Sequence, residues 1–258
     1  MFENKTISVE DHEFDIDLDN TATRIPVCLA IDVSSSMLTI LDDLTGVAPA
    51  RKEFRDGQWW DIYEGDFTTY MSLMIKGVNQ LYADIKADPV AAKSSEIAIV
   101  AFSDDVQVLE NFSPIENKKP FDVTNCGDNT NLGAGVERAL DMLENRKEIY
   151  KQNDIEYRQP WLFIFTDGSP TDIEKTEKVI ERCRNLSENR KLVVYPMLIG
   201  KGANEQLLQR FCFGDIKSPI PLNEGNIGRF FKVLSKSFSS SGNNTQTTPQ
   251  FVFDDDFE

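Results

Sequence analysis

The stretch "RIPVCLAIDVSSSM", Arg24 to Met37, decides how the rest of the chain is read. Residues 25–31 form a largely apolar run of strand length, and the run ends on Asp32-Val33-Ser34-Ser35-Ser36. A strand apolar on both faces needs cover on both sides, as in a parallel sheet between two helical layers. A carboxylate and alternate hydroxyls at its end can cap a helix, hold a metal or take part in chemistry.

Working outward, "EIAIVAF" (96–102), "WLFIFT" (161–166) and "LVVYPMLIG" (192–200) repeat the pattern, and the weaker "VQVLENF" (106–112) suits a hairpin partner of the second strand. Between them apolar residues recur at three and four. One stripe runs from Met71 to Ile85, a second from Leu132 to Leu143, and a third from Ile173 to Leu186 behind the capping-box pattern Thr171-x-x-Glu174. A fourth, from Ile227 to Phe238, closes the series. Alternating strands and helices predict an α/β fold: three layers, doubly wound, with a mainly parallel sheet flanked by helices. Ligands bind such sheets at the carboxyl ends of the strands, where Asp32 and its serines stand.

Composition narrows the function. The chain has 258 residues, 40% of them hydrophobic, enough for one large domain with a sizeable core. The opening "MFENKTISVEDHEF" is polar and acidic, and no apolar run approaches the ~20 residues that span a bilayer. The expectation is a cytoplasmic protein without a membrane partner. The net charge is −16, much of it in residues 1–20 and 249–258, which disfavours nucleic acid. Cys28, Cys126, Cys183 and Cys212 have neither zinc-ligand nor redox spacing and read as buried apolar residues in a reducing compartment. His12 is the sole histidine, which argues against a histidine base or a multi-histidine metal site.

Two other strand ends add oxygen donors. "NTNLGAG" places Thr130 just before a helix, and "IFTDGSPTD" places Asp167 at the end of a central strand. Asp32, Ser34, Ser36, Thr130 and Asp167 make two carboxylates and three hydroxyls with no nitrogen or sulfur, a set suited to a hard cation such as Mg²⁺. The i, i+2, i+4 spacing turns alternate side chains of a curling loop inward. Two ionised aspartates leave such an ion wanting one more anionic oxygen. Each piece alone has a plainer reading, as a helix cap or a turn. "DIDLDN" (15–20) imitates a calcium loop, but its twelfth position is Pro26 and no helices flank it.

Together the pieces resemble von Willebrand factor type A domains. "DVSSSM" resembles the D-x-S-x-S loop of that family's metal-ion-dependent adhesion site, "NTNLGAGV" its threonine loop, and "FTDGSPTD" its second aspartate loop. The resemblance covers roughly residues 23–238, with the three in order. It implies that Ser34, Ser36 and Thr130 supply hydroxyls to Mg²⁺, with Mn²⁺ as the alternative. Asp32 and Asp167 would act directly or through water, and a protein partner's acidic side chain would complete the coordination. The chain is also similar to a bacterial intracellular group that includes tellurium-resistance-associated TerY-like proteins. That similarity implies a non-enzymatic adaptor or regulatory subunit of a stress or signalling complex, with kinase, phosphatase or ATPase partners.

Three segments depart from the family pattern. Residues 1–22 are acidic, with a candidate edge hairpin in two alternating pieces (Ile7, Val9; Phe14, Ile16, Leu18). Residues 38–67 form an insertion whose Trp59, Trp60, Tyr63 and Phe67 are expected to pack onto the sheet edge; the alternative is a lid or second contact surface anchored by them. The acidic tail, 239–258, is expected to be disordered. Two rival functions stay open. One is a haloacid-dehalogenase-like, Mg²⁺-dependent phosphatase with Asp32 as nucleophile, although Ser34 stands where its acid is needed. The other is a metal-free scaffold binding through residues 38–67.

Overall fold

Strand β1 (Ile25–Asp32) is buried along its whole length because its side chains enter two different cores. Ile25, Val27, Leu29 and Ile31 enter one; Cys28 and Ala30 enter the other. This is the two-residue period of a strand covered on both faces. The computed structural model describes residues 16–55, 57–123, 126–200 and 203–243.

After β1 come an antiparallel pair, β2 (Arg51–Arg55) and β3 (Gln58–Ile62), then helices α1 (Tyr70–Ala87) and α2 (Pro89–Ser94). Strands β4 (Ser95–Phe102) and β5 (Val106–Glu110) lead to α3 (Leu132–Gln152) and β6 (Trp161–Thr166). Then follow α4 (Ile173–Glu188), β7 (Val193–Ile199), α5 (Glu205–Gln209), β8 (Ile220–Leu222) and α6 (Ile227–Asn243). The main sheet runs β5-β4-β1-β6-β7-β8. Every neighbouring pair is parallel except β4 and β5, the expected hairpin. Helices α1 and α6 cover one face; α3 and α4 cover the other. No helix among the described residues is long and apolar enough to cross a membrane.

The two cores are built differently. The α1/α6 side is aromatic: Phe163 stacks on Tyr195 with centroids 4.6 Å apart, and Phe230 meets Phe163 and Phe165 edge-on. On the other side Cys28, Ala30 and Ala98 are small. Helix α3 lies close to the sheet, and a Cβ on its Gly135 would stand 2.5 Å from Phe102.

Several expectations need correction. The capping box does not form at α4: Asp172 is the N-cap, and Thr171 Oγ1 donates to Asn131 Oδ1 instead. A capping box forms at α1, between Thr69 and Ser72. Helix α6 continues past Ser239 to Asn243, with the Ser239 hydroxyl donating to Asp88 Oδ2, so the tail cannot begin at 239. The rest of the tail, and the hairpin residues Ile7, Val9 and Phe14, lie outside the described residues. Ile16 and Leu18 belong to no strand. The tryptophans of the insertion do not pack onto the sheet edge. β2 and β3 form a separate ribbon on which Phe54 and Trp59 pair edge-on and stay 60% and 69% exposed, and Trp60 is exposed too. A two-stranded ribbon lacks a second layer to bury its faces. Cys28 and Cys183 are buried, but Cys126 is exposed.

Gly77 in α1 tests how tightly the aromatic core is closed. In an open helix Gly→Ala stabilises by about 1 kcal/mol. Here the new Cβ would stand 2.2 Å from Cδ2 of the fully buried Phe231. Gly77→Ala should therefore lower stability, by about 1–3 kcal/mol in urea unfolding. An unchanged or raised midpoint would show that Phe231 can swing aside.

Candidate metal centre

The site is built where β1 and its neighbour β6 end side by side. Val33 N donates to Phe102 O at 2.9 Å, and a 3₁₀ turn over Ser35–Leu38 then folds the chain back. The turn brings the Ser34 and Ser36 hydroxyls within 2.9 Å of each other, and Ser34 N donates to Asp32 Oδ1 at 2.9 Å. From β6, Thr166 Oγ1 donates to Asp32 Oδ2 at 2.6 Å. The next residue, Asp167, accepts at Oδ1 from Ser36 Oγ at 2.8 Å. Thr130 arrives from the loop before α3. A Cβ on Gly168 would stand 3.5 Å from Thr130 Oγ1 and 4.0 Å from Asp32 Oδ2, ordinary contact distances that place Thr130 and Asp32 on either side of the same point. The five side chains singled out in the sequence thus meet at one edge of the sheet.

Burial divides them into floor and rim. Asp32 is 0%, Ser34 2% and Thr130 6% exposed, whereas Ser36 is exposed and Asp167 half-buried. Among the described residues no group of three or more His, Cys, Asp or Glu gathers as a ligand cluster. The donor set is instead two carboxylates and three hydroxyls, the hard-oxygen chemistry that fits Mg²⁺ or Mn²⁺. Burial pushes the Asp32 carboxyl up to about 6; the Ser34 and Thr166 bonds oppose this, and the like charge of Asp167 adds to it. Burial also raises Asp167, against the bond from Ser36.

Three supporting side chains, those of Thr166, Asp172 and Asp104, and one backbone bond were not foreseen from the sequence. Thr166 lies inside the quoted "FTDGSPTD", but its bond to Asp32 depends on two strands being neighbours. Asp172 ends the same stretch, and its carboxylate crosses to another helix, accepting from Gly133 N at 3.0 Å and Ala134 N at 2.8 Å. It thereby caps α3 from outside and places negative charge at that helix's N-terminus. Thr171 N donates to Thr130 O at 2.9 Å, so the second aspartate loop and the threonine loop are pinned together. Asp104 accepts from the backbone N–H of Asp128 and Asn129 and from the Asn129 amide, steadying the approach to Thr130. These bonds hold its carboxyl below the usual range.

The shift at Asp32 has a definite sign. Between about pH 4 and 6 the folded protein holds a proton there that the unfolded chain has lost, so stability falls as pH rises through that window. In EDTA above pH 6 the ionised group costs of order 2–3 kcal/mol. Asp32→Asn should recover about 1–3 kcal/mol of this at pH 7.5 in urea unfolding, with little gain at pH 4. The same pH dependence in both proteins would remove Asp32 as its source.

No protein-family model matches this sequence, and no curated protein sequence matches it. Solved structures do resemble it. The von Willebrand factor domain of the type V pili tip protein Mfa5 from Porphyromonas gingivalis is 10% identical at a TM-score of 0.56, covering 88% of this chain and 99% of that one. The PilB minor pilin from Streptococcus sanguinis is 13% identical at 0.52, covering 84% and 62%. Proximal thread matrix protein 1 from the mussel byssus is 13% identical at 0.51, covering 85% and 47%, so this chain spans about half of that protein's length. At such identities the likeness is one of fold, and the fold of this chain is that of the von Willebrand factor type A domains.

Proposed function

We propose that this chain is a metal-dependent protein-recognition domain in which Asp32, Ser34, Ser36, Thr130 and Asp167 hold Mg²⁺, or Mn²⁺ in its place. The observation that carries the reading is the convergence of these five oxygen donors on a buried floor with an open rim. A bound divalent cation would supply a positive centre for a carboxylate oxygen of the partner. The protein's own groups do the rest. Ser36 and Asp167 present the rim, Thr166 orients Asp32, and Asp172 and Asp104 keep the Thr130 loop in reach. The partner accordingly offers an exposed Glu or Asp.

The reading is one of recognition and not catalysis. The only histidine, His12, lies outside the described residues, and Ser34 occupies the position where a phosphatase would need an acid. A cytoplasmic adaptor or regulatory role beside a kinase, phosphatase or ATPase in a bacterial stress complex rests on the TerY-like resemblance alone. A second reading has its own support. The exposed Phe54, Trp59 and Trp60 on the β2–β3 ribbon suit a contact surface that needs no ion. A partner complex that survives EDTA but is lost in Trp59→Ala would favour that reading.

Metal titration by calorimetry and thermal unfolding tests the first. At a hundredfold excess over the dissociation constant, Mg²⁺ should stabilise the parent protein by about 2.7 kcal/mol. Asp32→Ala should abolish the effect while unfolding remains cooperative, and Thr130→Ala should weaken it. A parent protein that neither binds nor is stabilised by Mg²⁺ or Mn²⁺ would overturn the reading.

A further inference from the structure

The β2–β3 ribbon is a sheet of two strands, so each has an outer edge with no strand beside it among the described residues. Its faces are uncovered too. The register sets Phe54 opposite Trp59 on one face, with Lys52 two residues along, and puts Arg51 and Trp60 on the other. Phe54, Trp59 and Trp60 are 60%, 69% and 48% exposed. Lys52 meets Asp61 at 3.1 Å and Arg51 meets Glu53 at 2.8 Å, but both cations are more than half exposed. Surface pairs of this kind exchange readily with other carboxylates.

An aromatic strand edge that carries cations fits an occupant that is aromatic and acidic. The chain's own sequence contains one outside the described residues. Residues 251–258, "FVFDDDFE", hold three phenylalanines and four acids with no base. In the alternation of a strand, Phe251, Phe253, Asp255 and Phe257 share one face, and Asp254, Asp256 and Glu258 share the other. The first set matches Phe54, Trp59 and Lys52; the second matches Arg51. The edge of β2 suits it better than that of β3. On β2, Arg51 and Lys52 stand against one acid, Glu53, whereas the β3 side offers Asp61 and Glu64 and no base.

We infer that the ribbon of one copy binds residues 251–258 of a second copy, as a strand added to the edge of β2. Chain length selects a second copy. Gly77 of α1 faces Phe231 of α6, and Asp88, just past α1, accepts from Ser239, so the two helices run in the same direction. The ribbon joins at the other end of α1, where Leu41 N donates to Thr68 O and Ile40 bridges to Thr69. The 18 residues of α1 span about 27 Å, and α6 runs on past Ser239 to Asn243. The eight residues from there to Phe251 reach at most about 29 Å, which the return to the start of α1 consumes. A segment given to one neighbour and a ribbon offered to another make a head-to-tail contact, which grows into longer assemblies unless it closes. This gives the ion-free contact surface a named occupant and does not depend on the metal.

Sedimentation of the full chain tests this. The mass of the parent should rise with concentration up to about 100 µM, the range expected of a small interface. Trp59→Ala and Phe253→Ser should each weaken the association about tenfold or more. Mixed in equal amounts, the two variants should pair and stop at a dimer, because the intact segment of the first still meets the intact ribbon of the second. The double variant Arg51→Glu/Lys52→Glu, which keeps the aromatic side chains, should also associate more weakly. A parent that stays monomeric overturns the inference, as does association that neither single substitution weakens. Variants that fail to pair when mixed overturn the head-to-tail contact. Association unaffected by the double variant overturns the assignment to the β2 edge. Association lost in EDTA or in Asp32→Ala moves the acids of the segment to the metal and overturns the ribbon as their site.

Discussion

Burying the Asp32 carboxylate at the end of β1 is the constraint on which the rest of the structure depends. A buried carboxylate costs several kcal/mol unless it is paired or fully hydrogen-bonded. The same sheet shows the usual remedy at its opposite end. Glu96, also buried, is met by Arg24 at 3.3 Å, by Arg146 at 2.6 Å and by the Tyr150 hydroxyl. Asp32 receives Ser34 N, the Ser34 hydroxyl and Thr166 Oγ1, and among the described residues no Lys or Arg pairs with it or with Asp167. One buried acid is compensated from within the chain. The other has no such cation among the described residues, and its burial is the main cause of its raised pKa.

The surrounding loops keep that arrangement from relaxing. Asp172 reaches from the start of α4 to the first N–H groups of α3, and Thr171 N holds Thr130 O. A Cβ on Gly133 would stand 2.4 Å from Thr176 N, so the two helix starts are in close contact. Movement of the threonine loop therefore requires movement of α4 as well. This suits a site whose donors come from three separate segments and must be placed before a ligand arrives.

The two faces of the sheet divide the labour. The aromatic side, with Phe163, Tyr195, Phe230 and Phe231, supplies much of the burial and locks α1 against α6 through Gly77. The small-residue side lets α3 approach closely enough for Thr130 to reach the carboxyl edge. No described residue of the insertion belongs to either core. Its ribbon stands apart with its largest aromatic side chains exposed.

Much of this was legible in the sequence because it is local. Apolar runs of strand length, covered on both faces, require a parallel sheet between helices, and the spacing of Asp32, Ser34 and Ser36 requires a loop that curls inward. Short elements such as β8 and α5 carry too few residues for periodicity to show. What only the tertiary structure decided is which distant groups meet. Ser36 and Asp167 are 131 residues apart in the chain, and Thr166 and Asp32 are 134 apart; both pairs bond because β1 and β6 are neighbours. The crossing of Asp172 to α3 and the exposure of Phe54 and Trp59 are equally products of packing. Sequence periodicity reports that a residue is buried, while the order of strands in the sheet determines what it is buried against.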